Sequence, residues 1–108
     1  RQLDGCISSV SALIEIKNNL SSKQISLLFD GGIRNGKDVL KVRALGATMG
    51  MIGRPYLYGL GAGGESGVIR ALEILHEQLD RTMALCGHRD INTVDRSILK
   101  SNYHQITT

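Results

Sequence analysis

Two short stretches carry residue types that could hold an anion: Asp30-Gly31-Gly32-Ile33-Arg34 and Gly53-Arg54. Each follows an apolar run and precedes a segment of helical pattern, so each reads as a strand-to-helix turn. Glycines let backbone amides approach oxygens that a Cβ would keep away, and helix N-termini add favourable partial charge. Arg34 and Arg54 can each donate a fork of hydrogen bonds to phosphate, which lysine does not copy. Asp30 is poorly placed for phosphate because like charges repel; it suits hydroxyl groups, such as those of a ribityl or ribose chain. An Asp-Gly-Gly turn by itself is often only a tight connection. It is the pair of turns, each with an arginine and one βα unit apart, that points to a shared phosphate.

Other reactive residue types form no such group. His76 and His88 fall on the last long helix and its exit and His104 in the tail, none beside a carboxylate pair, so surface positions are expected. Cys6 and Cys86 lie far apart without a CxxC or Cys/His pairing, which reads as two reduced, partly buried thiols of a cytosolic protein. No Ser/His/Asp or metal-ligand arrangement stands out. Lys37 and Arg43 are expected on a solvated helix face.

The 13 Lys+Arg against 10 Asp+Glu leave a net charge of +3, which suits an anionic ligand. The basic residues are scattered among acids, and one Phe, three Tyr and no Trp give little to stack on bases. A nucleic-acid reader is therefore not expected. No signal peptide is expected, and no apolar run approaches the ~20 residues of a membrane span.

The elements that must position the turns can be read from hydrophobic spacing. Val10, Leu13, Ile14 and Leu20 predict a helix over 9–20, capped by Ser8 or Ser9. Residues 25–29 form a short apolar run without alternation, as in a parallel strand buried on both faces. Val39, Leu40, Val42 and Leu45 predict a helix over 37–45, with Gly46 as its left-handed cap. A second strand covers 49–52, where Gly50 allows close packing of a neighbour. Pro55 suits the first turn of a short helix to about Leu60. Residues 61–64 read as a linker-like break. From Glu65 a long helix carries Val68, Ala71, Leu72, Leu75, Leu79, Met83 and Cys86 on one stripe and stops at Gly87. A short helix over 94–99 and a loose tail over 101–108 complete the chain.

This alternation argues for an α/β fold of parallel βα units with right-handed crossovers. In eight-stranded βα barrels the phosphate site is often built from the loops after strands seven and eight, with the N-terminus of a short extra helix. Gly31 and Gly32, then Gly53 and Arg54, then a short helix match that order. At 108 residues the chain is too short to close such a barrel, so it is expected to be a piece of something longer.

Residues 1–5 (Arg1-Gln2-Leu3-Asp4-Gly5), 30–47 and 52–68 together resemble the FMN-dependent α-hydroxy-acid dehydrogenases and oxidases, along the chain to about Leu99. The resemblance implies the C-terminal part of a (β/α)8 TIM barrel, from the end of strand six through helix eight, spanning 1–100. It implies FMN as cofactor and oxidation of an (S)-2-hydroxy acid of the lactate, glycolate or mandelate type to the 2-oxo acid. Carried over by position, Arg1 pairs with the substrate carboxylate and Asp30 meets the flavin ribityl chain. Gly31, Gly32 and Arg34 form the first phosphate turn, and Gly53 and Arg54 the second. The family's base histidine stands three residues before the matched arginine, so it is expected upstream of this chain, which by itself should not turn over. A homo-oligomer, tetrameric in full-length relatives, is implied, in the cytoplasm or peripheral to the inner membrane through an upstream region. Two other readings remain open at this point. One is another phosphate-binding barrel of the inosine-monophosphate-dehydrogenase kind; the other is a non-enzymatic, self-associating half-barrel.

Overall fold

The computed structural model describes residues 3–21 and 24–100. Arg1 and the tail over 101–108 lie outside the described residues. The chain runs α1 (Ser9–Asn19), β1 (Leu28–Phe29), α2 (Gly36–Ala44), β2 (Met49–Gly50) and α3 (Arg54–Leu85), then two 3₁₀ turns, Ile91–Thr93 and Arg96–Ile98. β1 and β2 pair in parallel, Leu28 opposite Met49 and Phe29 opposite Gly50. The expected parallel βα units are therefore present.

The Ser8 side chain caps α1 by accepting from the Ser11 amide at 3.2 Å. The first helix packs Leu13 and Ile14 into a core shared with Phe29, Ile33, Val42, Leu45 and Ala47. That core lies between the strands and the helices α1 and α2. Gly50 meets it closely, as expected: a Cβ there would stand 2.6 Å from Ile33 Cδ1.

The strands are shorter than their apolar runs, and only one of their faces is covered. Phe29 is buried, whereas Leu28 and its partner Met49 are 60% and 59% exposed. A run without alternation fits a strand covered on both sides; among the described residues the second cover is missing.

The expected short and long helices after β2 are both present as the two arms of α3, separated by a kink at Gly63 and Gly64, whose backbone angles are not helical. The break falls at the end of the glycine run instead of across all of it. Gly64 takes φ 61°, ψ −140°, a conformation glycine alone adopts readily. The two arms then touch at Gly59 and Gly67, where a Cβ on either would run into the carbonyl of the other.

Beyond α3 the expected helix over 94–99 is replaced by the two 3₁₀ turns. Asp90 and Asp95 cap them by accepting from the amides of Asn92 and Ser97, both at 2.9 Å. Short polar side chains bonding their own backbone compete with a continued helix. The Ser97 hydroxyl and amide hold the Asp95 carboxyl below the usual carboxylate range, and the nearby His88 adds to this.

Arg43 is not on a solvated face. Its Nη1 donates to the carbonyls of Ala47 (3.2 Å) and Thr48 (2.9 Å), and its Nη2 to Ile91 O (3.4 Å) and Asn92 Oδ1 (3.1 Å). Helical position alone put it outward, but the returning C-terminal segment covers it. Lys37 is exposed, as expected. Both cysteines are exposed and free, contrary to the expected partial burial, because no neighbour among the described residues closes over either. His76 is exposed; His88 is half-buried and bonded through Nδ1 to Thr93 Oγ1 at 2.9 Å; His104 lies outside the described residues. Among the described residues no helix is long and apolar enough to cross a membrane.

Candidate functional site

The two turns stand side by side because the strands before them are paired. Their common mouth is a cavity of about 310 Å³ lined by residues 30–34 after β1 and 51–55 around the end of β2. Asp30, Gly31, Gly32, Arg34, Gly53 and Arg54 all line it, so six of the seven expected site residues are brought together. The seventh, Arg1, lies outside the described residues.

The first turn depends on two successive residues in the left-handed region, Gly31 at φ 97° and Gly32 at φ 101°. A side chain there would be strained whatever the room. Room exists nonetheless, since a Cβ built on Gly32 or Gly53 finds no protein atom within 4 Å. The backbone thus faces open space at both turns. Ser9 Oγ steadies the first turn by donating to Gly31 O at 3.3 Å.

The donors in this cavity, and the Tyr56 amide just beyond its lining, are uncommitted. Among the described residues no acceptor engages the amides of Gly31, Gly32 and Ile33, or those of Arg54 and Tyr56 at the start of α3. The cap residue of α3, Gly53, makes no side-chain cap. Neither the Arg34 nor the Arg54 guanidinium has an ion-pair or hydrogen-bond partner among the described residues, and both are exposed. Two unpaired cations beside a helix end with free amides make a positive pocket that an anion would complete. Asp30 is exposed and unbonded among the described residues, hence free to accept from a hydroxyl.

The two helix N-termini are not equivalent, although the sequence suggested that both would serve. The start of α2 is closed by its own side chains. Asn35 Oδ1 accepts from Asp38 N, and Asp38 Oδ2 accepts from Arg34 N, each at 3.0 Å. This reciprocal cap resembles a capping box, and the Asn35-x-x-Asp38 spacing was its sequence signal. Gln78, far along α3, takes the Gly36 amide at 3.0 Å, and no local pattern announced that bond. The amides left without an acceptor among the described residues are therefore those of Gly31 to Ile33 and of the α3 terminus.

The donor set fits the phosphate end of FMN. Guanidinium forks and free amides match a dianionic phosphate, and a free carboxylate beside them matches the ribityl hydroxyls.

Comparison with known proteins gives this geometry a setting. The family described as FMN-dependent dehydrogenase matches residues 1–101. An L-lactate oxidase from Nostoc sp. is 44% identical over 99 residues, covering 92% of this chain and 27% of that protein. Human 2-hydroxyacid oxidase 1 is 41% identical over 102 residues, covering 94% and 27% respectively. Among solved structures, a soluble mutant of the membrane-associated (S)-mandelate dehydrogenase from Pseudomonas putida superposes with a TM-score of 0.81. It shares 39% identity and covers 91% of this chain and 27% of its own. The chain thus spans about a quarter of the length of the relatives it matches.

Proposed function

This chain belongs to the FMN-dependent dehydrogenase family, and on that premise we propose that it is the phosphate-holding end of an FMN-binding (β/α)8 barrel. In this reading β1 and β2 are the seventh and eighth strands. The uncovered Leu28 and Met49 then face the barrel interior, where the remaining strands supply the missing cover. The observation that carries the reading is the single cavity lined by two arginines and by turn amides that have no partner among the described residues.

Arg34 and Arg54 neutralise and clamp the phosphate, with the amides of Gly31, Gly32, Ile33 and Arg54 taking its remaining oxygens. Asp30 accepts from the ribityl hydroxyls and fixes the direction in which the flavin leaves the cavity. When bound, FMN supplies two-electron acceptor chemistry, while the protein contributes binding, orientation and electrostatics. The substrate is a small (S)-2-hydroxy acid, as the names of the relatives suggest, and Arg1 pairs with its carboxylate. Proton abstraction belongs to a histidine outside this segment. Base catalysis is commonly worth about 10²–10⁴-fold, so the chain by itself binds FMN without oxidising lactate, glycolate or mandelate.

Backbone amide resonances followed during FMN titration test this reading. The largest shifts are expected at Gly31, Gly32, Ile33, Arg54 and Tyr56, with Lys37 and Asp38 at the closed α2 terminus little changed. Shifts concentrated elsewhere, or none, would overturn it.

A further inference from the structure

The two arginines sit on different turns, so a shared phosphate requires that the turns keep a fixed separation. One contact outside the cavity joins the helices that leave them. Gln78 Oε1 on α3 accepts from the Gly36 amide at the first position of α2, at 3.0 Å across 42 residues of chain. The glycine is buried and Gln78 half-buried. A Cβ on Gly36 would collide with the backbone of Gln78 and Leu79, so the helices meet there without an intervening side chain.

Gly36 is also the second residue after Arg34, whose own amide is fixed by Asp38 at 3.0 Å. A displacement of the α2 terminus relative to α3 therefore carries Arg34 with it. Arg54 lies at the start of α3, on the arm before the kink at Gly63 and Gly64, and that arm is held to the arm bearing Gln78 by the close Gly59–Gly67 crossing.

We propose that Gln78 is a positioning residue: by holding the α2 terminus against α3 it sets the spacing between the Arg34 and Arg54 turns, and so the fit to phosphate. It touches no ligand. Its second role is to take up a helix-terminal amide that would otherwise compete for the anion or for water. The inference rests on the phosphate reading of the cavity and deepens it.

The test uses the full 108-residue chain with Gln78→Leu, Gln78→Asn and Gln78→Glu. Leucine removes the acceptor, asparagine falls one methylene short, and glutamate keeps the reach with a stronger acceptor. FMN affinity is expected to fall about tenfold in Gln78→Leu and Gln78→Asn and to stay within about threefold in Gln78→Glu. The Gly36 amide should exchange faster with solvent in the first two, and the Gly31 to Arg34 amide resonances should move. If Gln78→Leu does not fold, the contrast between asparagine and glutamate carries the test. A residue that is structural only would lower the unfolding midpoint while leaving FMN affinity and those resonances unchanged, which overturns the proposal. Should the unaltered chain bind FMN no better than riboflavin, the phosphate reading fails. The spacing role then stands or falls on whether the Gly31 to Arg34 resonances move in Gln78→Asn and remain in Gln78→Glu.

Discussion

At the scale of single residues, the arginines divide by what surrounds them. Arg34 and Arg54 have guanidinium groups with no partner among the described residues at a cavity mouth, whereas Arg43 donates four hydrogen bonds, to Ala47 and Thr48 after α2 and to Ile91 and Asn92 in the first 3₁₀ turn. Substituting lysine for Arg34 or Arg54 keeps the charge but loses the fork, so each change should weaken FMN about tenfold by calorimetry. Riboflavin, which lacks the phosphate, should be indifferent to both changes. Arg43→Met leaves several carbonyls without their charged donor and should lower unfolding stability by about 1.5–3 kcal/mol in urea titration. An unchanged midpoint would mean that water replaces the guanidinium at no cost. The sequence made the first pair legible because glycine and arginine at two strand ends have few other reasons to recur. It misplaced Arg43, since a helical wheel shows which face a residue occupies but not whether a distant segment returns to cover it.

At the scale of elements, the site is assembled by one strand pair and one bent helix. The parallel pair sets the turns side by side, and the bend at Gly63–Gly64 folds the first arm of α3 back until Gly59 meets Gly67. The glycine run over 61–64 announced a break. The glycine-on-glycine crossing was hidden, because it joins residues that become neighbours only once the helix has bent. Gly67→Val would force the arms apart. It is expected to cost about 1–3 kcal/mol, as overpacking does, and to weaken FMN by moving Arg54. Equal stability and affinity in that variant would show the crossing to be incidental. The helix ends carry a similar lesson: the Asn35 and Asp38 cap of α2 went unread in the sequence, and the closing of that terminus also needs Gln78, whose partner lies 42 residues away.

At the scale of the whole molecule, the strand pair is half-covered. Leu28 and Met49 stand opposite each other and exposed, with Met51 43% exposed on the same strand side. The apolar runs of both strands were written for cover on both faces, which is why the sequence predicted buried strands that this chain alone does not supply. Bare strand edges and apolar faces favour association, so sedimentation of the isolated chain should show concentration-dependent self-association. Leu28→Lys combined with Met49→Lys should suppress it without altering the phosphate turns. A sharp monomer boundary for the unaltered chain at all concentrations would contradict that expectation.

The central claim is that the Arg34 and Arg54 turns form one phosphate site for FMN. The most direct measurement is calorimetric titration of the chain with FMN and with riboflavin under the same conditions, repeated with inorganic phosphate present. FMN should bind at least about tenfold tighter than riboflavin, the worth of one charged hydrogen-bond pair, and phosphate should compete for that difference. Equal affinities for FMN and riboflavin, or a difference that phosphate leaves untouched, would contradict the claim.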